Sequence, residues 1–131
     1  MTGYEAMGAS AGDRKALSEE DDNEALNLER TAYQNLAITA IKMEDYKGAV
    51  EFSDKALKVD PAAWKAKMRK GQALMKIGDL DAAQSLFNEA LVDTDNEADR
   101  TAIKTEIKRL DVQLKQFDKR QGSKLARAFG A

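Results

Sequence analysis

Two stretches of this chain repeat each other thirty-four residues apart. Lys42-Met43-Glu44-Asp45-Tyr46 is echoed by Lys76-Ile77-Gly78-Asp79-Leu80, Ala49 by Ala83, Ala56 by Ala90, and Leu57 by Leu91. No other feature narrows the fold so far. A fixed period of this length marks stacked helix-turn-helix units, each unable to bury its apolar face alone. The expected fold is all-α: stacked antiparallel helix pairs closed by a long C-terminal capping helix.

Apolar spacing places the units. Tyr33, Leu36, Ala37, Ala40 and Ile41 recur at helical spacing and predict a helix from about Glu24 to Met43, with Asp22 or Asn23 as its cap. Glu44-Asp45 turns the chain into a second helix, Tyr46 to Val59, which Asp60-Pro61 stops, because proline disfavours helix at the residue before it. A third helix over 62–77 and a fourth over 80–92 repeat the pair. A fifth is expected from Glu97 to Gln121, where Ile103, Ile107, Leu110, Leu114 and Phe117 are spaced four, three, four and three. That stripe fits a cap over the open end of the array better than a coiled-coil seam, for which it is short.

Residues 1–22 are rich in Gly, Ala, Ser and acids, with apolar residues too sparse for a buried face, and are read as a flexible or marginally helical acidic segment. The repeat domain spans 23–121, and 122–131 form a short basic tail. Charge is unevenly spread: acids dominate residues 1–30 and cations dominate 98–131. An acidic head and a basic tail could attract each other, but the expectation is a pair of solvated ends.

Composition excludes several chemistries. The chain has no cysteine and no histidine, so thiolate nucleophiles, imidazole bases, disulfides and the usual zinc ligands are missing. Glu44, Asp45, Asp79 and Asp81 fall at turns, where carboxylates commonly cap helices, and nothing pairs with them as acid or base. No enzyme activity and no cofactor are expected. No run approaches the length of a membrane span and no signal-peptide core opens the chain, so a cytoplasmic protein is expected. Cations on the last helix alternate with acids and offer one aromatic, which argues against nucleic acid.

The alanine pattern resembles the tetratricopeptide repeat (TPR) family. That family places a small residue at the eighth position of each unit, alanine at the twentieth and twenty-seventh, and proline at the thirty-second. Counted from Arg30, these are Ala37, Ala49, Ala56 and Pro61; counted from Trp64, they are Gly71, Ala83, Ala90 and Asp95 in place of proline. The aromatic expected at the twenty-fourth position is Phe87 in the second unit and Ser53 in the first.

A narrower resemblance lies at Trp64-Lys65-Ala66-Lys67-Met68-Arg69-Lys70-Gly71-Gln72-Ala73, which is similar to a segment of chaperone-binding TPR domains. Those domains grip the terminal carboxylates of heat-shock chaperones ending in Glu-Glu-Val-Asp, an arrangement called a carboxylate clamp. The resemblance places Lys65, Arg69 and Asn35 at clamp positions. Spacing agrees: Lys65 and Arg69 are four apart and share a helix face, and Asn35 is one period from Arg69. Ile38 and Lys42 lie on the face of Asn35, and Met68 and Gln72 are further candidate peptide contacts. The implied partner is the acidic tail of a ninety- or seventy-kilodalton heat-shock chaperone.

Lys115–Arg120 followed by Lys124–Phe129 resembles the end of large immunophilins, peptidyl-prolyl isomerases that carry a TPR domain after the catalytic one. Two departures matter. The lysine and asparagine that the family places in the first helix of the first repeat have no counterpart, and no isomerase domain is present. Either the chain is a piece of a longer protein or it is a short protein with an incomplete clamp; the sequence leaves both open. Leu26, Leu28, Tyr33 and Ile41 are then expected on an uncovered face, open to self-association or to residues 1–22 folding back. The alternative to chaperone-tail binding is a TPR scaffold for an internal peptide or partner helix.

Overall fold

A computed structural model describes residues 11–130, with side chains from residue 19 onward. Five helices follow in order: α1 Ala11–Lys42, α2 Tyr46–Val59, α3 Trp64–Ile77, α4 Leu80–Asp93 and α5 Glu97–Ala128. Each turn is set by a few residues. Asp45 caps α2 by accepting from the Gly48 N–H at 3.0 Å, and Asp79, one period later, accepts from Ala82 N–H at 3.4 Å to cap α4. Gly78 ends α3 at φ 101°, a left-handed conformation suited to a residue without Cβ, and its N–H donates to the Leu74 carbonyl. Asn96 caps α5 by accepting from Asp99 N–H at 3.1 Å.

Consecutive helices pack side by side as antiparallel pairs. Beyond that, α1 touches α3 and α3 touches α5, whereas no α2–α4 contact occurs among the described residues. The odd-numbered helices therefore share one continuous face, and α2 and α4 form the other layer. This is the layout of a TPR stack, with α3 at its centre.

The repeat alanines let the helices approach. Ala37, Ala49, Ala56, Ala83 and Ala90 have no exposed surface. The largest core lies between α3, α4 and α5, where Met68, Met75, Phe87, Ile103 and Leu110 meet. The core of the first unit is lighter: Ala40, Ala49 and Ala73 in one cluster and Ala56, Ala63 and Ala66 in another, with half-buried Tyr33, Ile41, Val50 and Phe52 around them. Ion pairs stitch α3 to both neighbours, Lys70 to Asp54 of α2 at 2.7 Å and Lys67 to Asp93 of α4 at 2.6 Å. Arg30 bonds Asp60 at 3.0 Å and fixes α1 against the turn before α3.

The long helices exceed their expected bounds. α1 begins at Ala11 rather than near Glu24, so Asp22 and Asn23 lie within a helix instead of capping one, and the segment expected to be flexible or marginally helical takes the helical form from Ala11. Between Ala11 and Glu29 the sequence is rich in Ala, Leu and Glu, whose summed propensity favours helix, and residues 19–29 are exposed along it. Likewise α5 runs through Gly122 to Ala128, absorbing the expected tail; one glycine costs about 1 kcal/mol and does not break a helix. Residues 1–10, including Tyr4 and Met7, lie outside the described residues. On α5 the apolar stripe caps the stack: Ile103 and Leu110 are fully buried, Ile107 and Leu114 pack on the core, and only Phe117 is exposed. Of the four residues expected on an uncovered face, Leu26 and Leu28 are exposed, whereas Tyr33 and Ile41 pack against neighbouring clusters.

Candidate functional site

The face shared by α1, α3 and α5 holds two adjoining grooves. The smaller, about 390 Å³, lies between the middle of α1 and the start of α3, and is lined by Asn35, Ile38, Lys65 and Arg69 together with Arg30 and Trp64. The larger, about 850 Å³, continues toward α5, with Ile38, Lys42, Arg69 and Gln72 on one side and Glu106, Arg109, Gln113 and Arg120 on the other. Ile38 and Arg69 line both, so they mark the junction.

Six of the seven residues expected at a peptide site therefore lie on this surface. Met68 is the exception. It is 6% exposed and packs into the core beside Phe87, because it is the immediate neighbour of Arg69 and one step along a helix turns a side chain by about 100°. Its role is structural.

The cations of α3 divide by face. Lys67 and Lys70 are tied to Asp93 and Asp54, while Lys65, Arg69 and Lys76 have no ion pair among the described residues. Arg69 is held in place instead: its Nη1 donates to Gln72 Oε1 at 3.1 Å. Burial pushes the Arg69 guanidinium below its usual range, and the neighbouring Glu106 carboxylate opposes that shift. Arginine stays charged through any such shift. The Lys65 ammonium sits 5.7 Å from the Trp64 ring centre, at the mouth of the smaller groove.

The far wall of the larger groove was not anticipated. Glu106 is a buried carboxylate paired with Arg109 at 2.6 Å, and Gln113 Nε2 donates to the Met75 carbonyl at 3.0 Å, fastening α5 to α3. Gln116 and Arg120 complete the wall. A signal for these residues exists: Glu106, Arg109, Gln113, Gln116 and Arg120 are spaced three, four, three and four, a polar stripe parallel to the apolar one. The larger groove is lined by Lys42, Arg69, Lys76, Arg109 and Arg120 against Glu106 as its one acid. Such a surface attracts anionic groups and offers planar guanidinium forks to carboxylates.

A tetratricopeptide repeat family model matches residues 40–107, just over half the chain. The chain belongs to the tetratricopeptide repeat family, and the described residues form a protein-interaction fold, not an isomerase domain. Among curated proteins it is similar to peptidyl-prolyl cis-trans isomerase FKBP4 of Bos taurus, 32% identical over 76 residues, which are 58% of this chain and 17% of that protein. The FKBP4 of Homo sapiens is 29% identical over 76 residues with the same coverage. The match thus spans under a fifth of either relative's length. The chain is a TPR domain that resembles those of large immunophilins. Among the described residues no helix is long and apolar enough to cross a membrane.

Proposed function

We propose that this domain is a co-chaperone-type module that binds the acidic C-terminal tail of a ninety- or seventy-kilodalton heat-shock chaperone, ending in Glu-Glu-Val-Asp. The observation that carries this reading is the meeting of Asn35, Lys65 and Arg69 around one groove, with Ile38 between it and the larger basic groove. Asn35 supplies an amide donor, Lys65 a compact charge and Arg69 a fork for a carboxylate. Ile38 offers apolar contact to the valine. Gln72 positions Arg69, and Lys42 extends the cationic surface. Each charge-assisted hydrogen bond nets about 1.5–3 kcal/mol, and three of them support roughly micromolar affinity after a short peptide is ordered.

Calorimetry with a Glu-Glu-Val-Asp peptide tests this. Binding should weaken as salt rises, because the contacts are ionic. Amidating the peptide's C-terminus should remove most of the affinity, which separates carboxylate recognition from binding of an internal segment. The double variant Lys65→Glu/Arg69→Glu should abolish binding while leaving the helix content unchanged, since neither side chain is in the core. No heat at millimolar peptide, or equal binding of the amidated form, sinks the reading.

A further inference from the structure

Two exposed helical extensions each carry charge of almost one sign. On α1, residues 19–29 are all exposed and carry Glu19, Glu20, Asp21, Asp22, Glu24 and Glu29 with no cation. On α5, residues 115–128 are all exposed and carry Lys115, Lys119, Arg120, Lys124 and Arg127 against Asp118 alone. Each also leaves apolar side chains in water, Leu26 and Leu28 on the first, Phe117 and Leu125 on the second. At the rise of an α-helix the two are about 16 and 21 Å long, a close match.

Within one chain they do not meet. α1, α3 and α5 are alternate members of an antiparallel array, so they run in the same direction. Arg30 of α1 is level with the turn before α3, through its bond to Asp60. The acidic residues before it therefore project past the N-terminal end of α3. Gln113 of α5 is level with Met75, close to the C-terminal end of α3. The basic residues after it project past the opposite end of the stack. Two solvated ends would need no partner, but this placement puts two complementary surfaces where only another molecule can bring them together.

We propose that the protein self-associates as a twofold dimer in which the acidic extension of α1 in each copy lies along the basic extension of α5 in the other. A twofold axis perpendicular to the helices turns one copy end over end. Because the acidic and basic extensions stand at opposite ends and opposite edges of the stack, the axis passes beside its middle, the copies face each other through the α1, α3 and α5 surface, and both acidic–basic pairs form at once. The assembly closes at two copies rather than growing into a fibre. Leu28 meets Phe117 and Leu125 along the seam and supplies apolar contact; the charges fix orientation and exclude the like-with-like pairing. Exposed ion pairs are individually weak and screened by salt, so this is a salt-sensitive dimer.

Sedimentation of the full chain at low and high salt tests the proposal. The dimer is expected at about 0.05 M salt and the monomer at about 1 M, where the screening length falls to roughly 3 Å. Two charge-swapped variants test it further: K119E/K124E/R127E on the basic extension and E20K/D21K/D22K/E24K on the acidic one. Each alone should be monomeric at low salt, because its two extensions then carry the same sign. Mixed in equal amounts, they should form a one-to-one dimer. All the substituted positions are exposed and outside the core clusters, so unchanged circular dichroism is the control for folding. A wild-type monomer at low salt overturns the proposal, as does a swapped variant that still dimerises alone or a mixture that stays monomeric. The same face carries the peptide groove, so peptide and partner copy compete for it; the readout here is oligomeric state without peptide, and none of Asn35, Lys65 and Arg69 is altered, so failure here leaves the peptide-binding reading to its own test.

Discussion

The two repeats share a backbone plan and fill it differently. Position by position, thirty-four residues apart, Ala37 corresponds to Gly71, Ser53 to Phe87, and Glu44 to Gly78. In the second repeat a missing side chain makes room for a large one: a Cβ built on Gly71 would lie 2.5 Å from Phe87 Cε1. In the first repeat the volumes are evened out, with Ala37 and Ser53 both fully buried. The turn shows a parallel contrast, since Gly78 takes the left-handed conformation that Glu44 must also adopt, at φ 61°. The period thus preserves the path of the chain, while stability is gathered in the half where large side chains interlock around α3, α4 and α5.

Truncating the two equivalent residues should affect the two repeats very differently. Phe87→Ala is expected to cost about 3–5 kcal/mol in chemical denaturation, the usual effect of emptying an aromatic site in a tight core. That is a large share of the roughly 5–15 kcal/mol that holds a small domain together. Ser53→Ala should leave stability unchanged or raise it slightly. The buried Ser53 hydroxyl has no hydrogen-bond partner among the described residues, so removing it removes a desolvated polar group. If the two substitutions cost the same, the stability of the molecule is not concentrated as the packing implies.

These contrasts also explain what the sequence made legible. Ala49, Ala56, Ala83 and Ala90 repeat on the period and fix the helix pairs, because small residues at a close approach leave little freedom. Asn35, Lys65 and Arg69 were readable as neighbours because helical spacing and the period together determine where they fall. Local propensity favours helix at the outer ends of α1 and α5, and residues 19–29 and 115–128 are exposed with no buried face to mark them, so the expected bounds at Glu24 and Gln121 fell short of Ala11 and Ala128. Met68 was misplaced because an apolar residue beside a groove cation looks the same in sequence whether it faces inward or outward. The polar stripe from Glu106 to Arg120 was hidden by the apolar stripe next to it, which already accounted for the helix.

Substituting Gly71 tests the interlock directly. Gly71→Ala forces a methyl group into the fully buried Phe87 ring, an overpacking that costs about 1–3 kcal/mol. Alanine recovers about 1 kcal/mol of helix propensity over glycine, so a net loss near 1 kcal/mol is expected. The double variant Gly71→Ala/Phe87→Leu should cost less than the sum of its two single changes, because the smaller side chain makes room for the methyl. Strict additivity in a double-mutant cycle would show that the two positions do not share one space.

The smallest effect expected is at the turns, and there the two repeats should respond with opposite sign. Glu44 holds a left-handed backbone that costs an ordinary residue roughly 1–2 kcal/mol, and Glu44→Gly relieves it. Part of that gain is offset, since glycine also gives the unfolded chain more freedom. A net stabilisation of about 0.5 kcal/mol is expected, read as a shift in the denaturation midpoint. Gly78→Ala goes the other way. No atom stands within 4 Å of the added Cβ, so any loss comes from the backbone alone, and about 1 kcal/mol is expected. Should both substitutions destabilise, the first turn is held by contacts of the Glu44 side chain rather than tolerated in spite of it, and the two repeats then differ in how they turn as well as in how they pack.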